Sequence, residues 1–187
     1  DENGGNRKVL ASDGFSSIGD IEWTALPRQP FATELATGVP QISYLDATTP
    51  TAKLHRALSQ KFAGQVQFVD FSEDGSKLLF WVGSDRDPGT YYLIDTHNYK
   101  VSKLFAVAPW IDPAKMAERR PMHFKASDGM ELEAILTIPR GVDPANLPMV
   151  LLPHGGPIGV QDTWYYDDDA QFLASRGYLV LQVNYRG

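Results

Sequence analysis

Short apolar stretches separated by turn residues run from Ile21 to Val107, and this pattern restricts the fold more than any other feature of the sequence. The last four stretches follow one another within about 40 residues, which is the size of one antiparallel four-stranded unit. Asp74-Gly75 separates the first two of these four and predicts a tight hairpin turn. The four strands are predicted at Val66–Phe71, Lys77–Gly83, Thr90–Asp95 and Lys100–Val107.

A weak internal repeat extends this pattern toward the N-terminus. Ile42–Ala47 resembles Tyr91–Thr96, about 48 residues further on. Repeats of this length are typical of β-propeller blades, so residues 1–110 are predicted to form about two blades. An ordinary β-meander with chance similarity remains the alternative. Further elements are predicted as strands at Lys8–Ala11, Ile21–Ala25, Phe31–Thr37 and Gln41–Asp46, and as a helix at Ala52–Phe62.

The pattern of predicted secondary structure changes after Trp110. Residues 111–120 are predicted to be a linker, helical over Ile111–Glu118, because Asp112 can cap a helix whose first residue is Pro113. The order beyond it is hairpin, strand, helix, strand, with an apolar run predicted to be a strand buried on both faces, and this is how an α/β sheet begins. These elements are predicted at Pro121–Ala126, Glu131–Ile138, Leu147–Leu152, Ala170–Ser175 (the helix) and Tyr178–Val183.

Composition removes several classes of function. The chain is 43% hydrophobic and 21% charged, as a globular protein is, and its net charge of -6 argues against nucleic-acid binding. The absence of cysteine excludes disulfides, thiolate catalysis and cysteine-ligated zinc, while leaving both cytoplasm and periplasm open. We find no apolar run of 18 residues or more, so we expect no membrane span. His55, His97 and His123 are scattered, and we expect neither metal nor cofactor.

His154-Gly155-Gly156-Pro157 directly follows the apolar run and is the most informative segment for chemistry. Two glycines let the backbone turn sharply and leave their N–H groups unobstructed by side chains. In α/β-hydrolases a His-Gly-Gly loop after a strand supplies an oxyanion-hole donor, worth about 10²–10³ in rate. The alternative is a plain Gly-Gly turn that leaves a strand.

Three stretches of the second half are together specific enough to indicate a family. They are Met149–Pro157, Phe172–Tyr178 and Val183–Gly187. They resemble the opening of the catalytic domain in the prolyl oligopeptidase family, in its acylaminoacyl-peptidase-like or dipeptidyl-peptidase-like branch, and Ser84–Tyr92 resembles the last propeller blade of those enzymes. The resemblance implies a mixed fold, in which the C-terminal blades of a β-propeller precede the N-terminal part of an α/β-hydrolase domain at residues 121–187.

The resemblance also implies a function and assigns roles to residues. The family members are serine peptidases that cleave short peptides through an acyl-enzyme, with the propeller gating access. Gly156 would offer its backbone N–H to the oxyanion and His154 would shape the loop. Some relatives have a tyrosine at the position of His154 whose hydroxyl completes the oxyanion hole, so here the hole would rest on backbone donors.

Other parts of the triad are not expected in this chain. No serine of the 187 residues lies in a G-x-S-x-G context, and in α/β-hydrolases the triad order is Ser, Asp, His, so His154 is not the catalytic base. The chain is therefore expected to be an internal piece that ends before the nucleophile and is inactive alone. We expect the apolar strand before His154 to have an unpaired edge, which favours self-association.

Weaker site candidates have ordinary alternatives. Trp164 and Arg86 could contact substrate, although Trp164, like Trp110, could be an interdomain contact and Arg86 could form a loop salt bridge. Asp167-Asp168-Asp169 is interpreted as an acidic helix start rather than a cation site. The expected partners are a short peptide substrate and the remainder of the hydrolase domain, with homo-oligomers left open. The rival hypothesis is a non-enzymatic β-rich module that binds a peptide or a protein.

Overall fold

The computed structural model describes residues 5, 7–15, 17–156 and 158–186. Pro157, the last residue of the predicted His-Gly-Gly-Pro loop, and Gly187 lie outside the described residues. Residues 7–13 form no strand, so the strand predicted at Lys8–Ala11 is wrong. Val9 and Leu10 are mostly exposed and find no partner strand that would pair their backbone.

Two antiparallel sheets fill the first part of the chain. The first has the order β1-β2-β3 and the second the order β4-β5-β6-β7, with the helix α1 between them in sequence. The strand β3 and the strand β6 are the third strands of their sheets, so the internal repeat of the sequence marks equivalent positions. The elements are β1 Ile18–Trp23, β2 Pro30–Leu35, β3 Ile42–Tyr44, α1 Pro50–Lys61, β4 Gln65–Phe71, β5 Lys77–Gly83, β6 Thr90–Asp95 and β7 Val101–Ala106.

The helix α1 forms because its start is well capped and its apolar residues share one face. The Thr49 side chain accepts a hydrogen bond from the Ala52 N–H at 3.2 Å, and Pro50 occupies the first turn. Its Leu58 packs into the largest apolar cluster together with strands of the second sheet. The other buried members of this cluster are Val66, Leu78, Phe80, Val82 and Ile94.

The third sheet contains the remaining strands in the order β10-β11-β9-β8, and only β10 and β11 are parallel to each other. The helix α2 packs on β9 and β11. It begins as expected for an acidic helix start, because the Asp167 side chain accepts from the Ala170 N–H at 2.8 Å. The elements are β8 Glu118–Lys125, β9 Glu131–Ile138, β10 Met149–Leu151, α2 Asp168–Ser175 and β11 Leu179–Asn184.

Three sequence predictions for this region need correction. The helical linker is reduced to the short 3-10 helix Pro113–Lys115, and β8 already begins at Glu118. The apolar run before the glycine loop is not buried on both faces, since Met149 and Leu151 of β10 are 57% and 59% exposed. In the described residues β10 is an edge strand that pairs with β11 alone. Trp110, interpreted as a core or interdomain residue, is 78% exposed and therefore lies outside the core, while its interdomain contact stays a prediction.

The structure is thus mostly β-sheet with few helices, and its four-stranded meander β4–β7 has the form of a propeller blade. No helix within the described residues is long and apolar enough to cross a membrane.

One buried carboxylate joins the first two sheets. Glu22 on β1 is 3% exposed, and its Oε2 and Oε1 accept from the Phe68 N–H of β4 at 3.0 and 3.3 Å. Burial raises the pKa of Glu22 to about 8, although the bond from Phe68 lowers it. The folded protein therefore binds a proton at this position under conditions where the unfolded chain does not.

This shift predicts a stability that depends on pH. Because the folded pKa of Glu22 lies above the ordinary value of 4.5, its contribution is complete below pH 4.5 and is lost as pH rises to about 8. Glutamine does not ionise, so Glu22→Gln should not lose stability from this group as pH rises. Between pH 5 and pH 8 its free energy of unfolding should rise by roughly 2–4 kcal/mol relative to that of the wild type. Urea unfolding of both proteins across this range measures the difference, and parallel curves would contradict the prediction.

A second prediction concerns the indole of Trp81, which lies against Gly89. A Cβ at Gly89 would come within 1.9 Å of Trp81 Nε1, and Gly89 has a φ of +107°. Gly89→Ala should lower the free energy of unfolding by about 1–3 kcal/mol more than Gly129→Ala does. Gly129 is the matched control, because its φ is +86° but a Cβ there would meet nothing within 4 Å. Thermal unfolding measures both variants. Equal losses of unfolding free energy would show that the Trp81 indole moves aside without cost and would contradict the prediction.

Candidate functional site

The glycine loop leaves the third sheet where β10 ends. The Leu152 N–H still donates to the Leu181 carbonyl at 2.9 Å, and beyond it the chain departs from β11. Gly156 has a φ of +135°, a conformation that residues with a side chain rarely adopt. Gly155 and Gly156 are both exposed. The sequence places glycine where the backbone requires it.

His154 and Tyr185 contact the backbone carbonyl groups of this loop. Their rings stack with centroids 4.3 Å apart and an interplanar angle of 17°. The Tyr185 hydroxyl, at the end of β11, donates to the His154 carbonyl at 2.9 Å and to the Gly155 carbonyl at 3.2 Å. His154 Nδ1 lies 2.7 Å from the Gly155 carbonyl, and because a carbonyl only accepts, Nδ1 carries the proton. His154 thus contacts the loop through both its ring nitrogen and its ring face, and the loop-shaping role given to it stays a prediction.

The Gly156 N–H is not part of regular pairing. Among the described residues it donates to no acceptor. The Gly155–Gly156 peptide is trans, so its C=O and N–H point in opposite directions. Since the carbonyl is directed at Tyr185 and the His154 ring, the amide is directed away from both. Such a bare N–H, held in direction by its peptide plane, can donate to a negatively charged oxygen.

An open cleft runs next to the loop. Its first part, a cavity of about 550 Å³, lies between the β1–β2 edge at Gly19 and Ala36 and the segment from Gly159 to Gln161, and it is also lined by Tyr185. A second cavity of about 210 Å³ shares Gly19, Ala36 and Gln161 with it and continues the cleft. The cleft therefore separates the first sheet from the third.

The far end of the cleft is acidic and buried. Glu34 is 6% exposed, and the Tyr165 hydroxyl donates to its two carboxylate oxygens at 3.1 and 3.0 Å. Gln67 Nε2 donates to the same hydroxyl at 2.9 Å. Burial raises the pKa of Glu34, against the hydrogen bonds from Tyr165 and Gln67, and burial together with the Glu34 charge raises the pKa of Tyr165. These groups connect the first sheet, the second sheet and the loop before α2.

The structure separates the two weaker site candidates. Trp164 lines the second cavity of the cleft, whose first cavity is lined by Tyr185 and by the segment that follows the glycine loop. Arg86 lies elsewhere, beside a cavity of about 280 Å³ that it shares with Glu118 and Arg120. Its Nε is 3.6 Å from Asp85 Oδ2, which is the loop salt bridge given as the alternative. The described residues contain no group of three or more His, Asp and Glu side chains placed to hold a metal ion.

Arg119 is the most important residue that the sequence reasoning missed. It is 2% exposed, and its guanidinium donates to the Thr137 hydroxyl at 3.2 Å and to Gln182 Oε1 at 2.8 Å. The same group donates to the carbonyls of Thr163 and Trp164 at 2.9 and 3.3 Å. It thereby ties β8, β9 and β11 to the segment that lines the cleft.

Hydrogen bonds from the same region reach the second sheet. The Arg119 N–H donates to Asp85 Oδ2 at 3.1 Å, and Gln171 Nε2 of α2 donates to the carbonyls of Asp85 and Ala117 at 3.0 and 2.9 Å. Burial lowers the pKa of Arg119, and the carboxylates of Asp167, Asp162 and Asp85 oppose that effect. Arg119 falls within the predicted linker, where its only signal in the sequence is an adjacent arginine. Tyr185 enters the sequence prediction only as part of the stretch Val183–Gly187, with no role of its own.

The sequence of the chain is similar to those of characterised proteins. It is 36% identical over 107 residues to dipeptidyl aminopeptidase BIII of Pseudoxanthomonas mexicana, which covers 54% of this chain and 15% of that protein. It is 29% identical over 155 residues to dipeptidyl peptidase family member 6 of Caenorhabditis elegans, covering 72% of this chain and 21% of that protein. The chain thus spans less than a quarter of these relatives. No family model matches the chain.

The fold has solved counterparts. A structure described in a study of two prolyl endopeptidases matches 95% of this chain and 25% of its own, with a TM-score of 0.60 and 15% identity. The strand-rich fold and the sequence together define a relative of the peptidases. Within that class, these relatives support the resemblance to the prolyl oligopeptidase family that the motifs of the chain indicated.

The buried guanidinium generates a prediction with a neighbouring control. Arg119→Ala should cost about 3–5 kcal/mol of stability, because it leaves the carboxylates near it without their buried counter-charge. Arg120→Ala should cost no more than about 1 kcal/mol, since Arg120 is exposed and pairs with the exposed Glu118 at 2.8 Å. Chemical unfolding of the two variants measures both values. If the two variants lost similar amounts of unfolding free energy, the buried network of Arg119 would contribute no more than an exposed ion pair does.

Proposed function

We propose that this chain is part of a serine peptidase that hydrolyses short peptides through an acyl-enzyme. The observation that carries the proposal is the bare Gly156 N–H in a loop that packs near Val160 of the open cleft, in a chain that resembles the prolyl oligopeptidase family. We assign to this amide the role of an oxyanion-hole donor. The names of the relatives, dipeptidyl aminopeptidase and dipeptidyl peptidase, support peptides as the class of substrate.

In the proposed reaction, these 187 residues contribute mainly electrostatic stabilisation of the oxyanion. A serine hydroxyl from another part of the natural protein attacks the peptide carbonyl carbon, and the π electrons move to the carbonyl oxygen. The Gly156 N–H donates to that oxyanion as its charge grows, which stabilises the transition state more than the neutral carbonyl. A base from another part of the natural protein takes the serine proton and returns it to the leaving nitrogen. The tetrahedral intermediate then collapses, breaks the C–N bond, expels the amine and leaves the acyl group on serine.

The first part of the chain would control access. We propose that residues 1–110 are terminal propeller blades, 111–120 a linker and 121–187 the start of the hydrolase domain, so that substrate enters the cleft between the first and third sheets. Trp164, which lines this cleft, is proposed to contact the substrate, and Arg86 is kept only as a more distant candidate. The remaining hydrolase strands are the proposed partner of the exposed edge of β10, and homo-oligomers are a further proposal.

Adjacent glycines provide the test. Gly156→Ala in the natural protein that carries this sequence should lower kcat for a chromogenic dipeptide substrate by about 10²-fold, because alanine disfavours the φ of +135° that aims the amide. Gly155→Ala is the control, since a Cβ there meets nothing within 4 Å and its φ is not in the left-handed range. Equal activities of the two variants would refute the donor role. A wild-type protein that neither cleaves peptides nor reacts with a fluorophosphonate would overturn the peptidase assignment and favour the binding module.

A further inference from the structure

The Tyr185 hydroxyl contacts two successive carbonyl groups of the glycine loop. It donates toward the His154 carbonyl at 2.9 Å and the Gly155 carbonyl at 3.2 Å, while its ring stacks on the His154 ring at 4.3 Å. One hydroxyl has one hydrogen, so the two carbonyls share it. The phenol therefore fixes the direction of two neighbouring peptide planes rather than a single bond.

Because each peptide group is planar, fixing the direction of its carbonyl also fixes the direction of its N–H. In a trans peptide the N–H points away from its C=O, so capture of the His154 and Gly155 carbonyls turns the Gly155 and Gly156 N–H groups away from Tyr185. Two glycines have the greatest conformational freedom of any pair of residues. Without an anchor, the loop would sample orientations in which the Gly156 amide faces elsewhere.

Tyr185 is itself held in place by its position at the end of a paired strand. The preceding residue, Asn184, closes β11, and its Nδ2 donates to Glu133 Oε2 at 3.1 Å and to the Asp162 carbonyl at 3.0 Å. Its Oδ1 accepts from the Asp162 N–H at 2.8 Å. The anchor of the loop is therefore connected to a rigid strand and to the segment that lines the cleft.

We propose that Tyr185 is a positioning residue that holds the Gly155–Gly156 peptide so that the Gly156 N–H faces the reacting oxygen. This inference rests on the proposed peptidase function for its catalytic meaning. Its structural content, the fixed orientation of the peptide, stands independently of that function.

Tyr185→Phe is the informative variant, because it keeps a ring that can stack on His154 and removes only the hydroxyl. Tyr178→Phe is the matched control: Tyr178 is 39% exposed against 36% for Tyr185, and its hydroxyl bonds to no described group. His154→Phe is a second variant that keeps stacking and removes the Nδ1 donor to Gly155, in case the first does not fold. Circular dichroism establishes that each variant is folded.

The first measurement is the backbone order of the glycine loop by ¹⁵N relaxation in the natural protein that carries this sequence. In Tyr185→Phe, or in His154→Phe if the former is unfolded, we expect the order parameters of Gly155 and Gly156 to fall from about 0.85 to below about 0.6, with Tyr178→Phe unchanged. A uniform loss of stability without this local change is what a merely structural role would produce. Unchanged order at both glycines overturns the inference, whatever the protein catalyses.

The second measurement uses the natural protein and a chromogenic dipeptide. We expect Tyr185→Phe to lower kcat about tenfold or more with KM within about twofold, because the loop acts on the transition state, and Tyr178→Phe to retain wild-type values. An unchanged kcat in an active enzyme overturns the positioning role. If the wild-type protein cleaves no peptide at all, the peptidase proposal fails, and the order parameters alone decide whether Tyr185 fixes the loop.

Discussion

The second half of this chain depends on the buried guanidinium of Arg119, which is shielded from water. Arg119 is charged and 2% exposed, so its donors need partners in the protein interior. They find a hydroxyl on β9, an amide on β11 and two carbonyls of the segment before α2. Because these acceptors come from separate stretches of chain, the network is complete only when strands, helix and cleft segment are all in place.

The same network determines how the candidate site is supported. The segment from Asp162 to Tyr165 is connected to Arg119 on one side and to Glu34 on the other, so it bridges the third sheet and the first. The glycine loop is anchored separately, through Tyr185 at the end of β11. Both supports depend on the pairing of β11 with β9, which places Gln182 and Asn184 opposite Ile135 and Glu133.

Local patterns predicted most of the secondary structure. Lys77–Gly83, Thr90–Asp95 and Glu131–Ile138 were found with the predicted bounds, because alternation and turn residues encode them within the strand itself. The strand at Lys8–Ala11 failed for the opposite reason: an apolar stretch becomes a strand only when a partner pairs with it. The glycine loop was visible as a motif, whereas Arg119 appeared only as one of two adjacent arginines. Its role depends on contacts 18 to 63 residues away, which no local pattern contains.

The side-chain amide of Gln171 has a mechanical consequence. One end of it accepts from the Ala117 N–H at 2.8 Å and the other donates to two carbonyls, one of them in the Ser84–Asp87 turn of the second sheet. A helix held in this way cannot rotate about its axis without stretching all three bonds together. The Gln171 side chain thereby connects the second sheet to α2, which packs on β9 and β11, so a displacement of one part of the chain relative to the other strains these bonds.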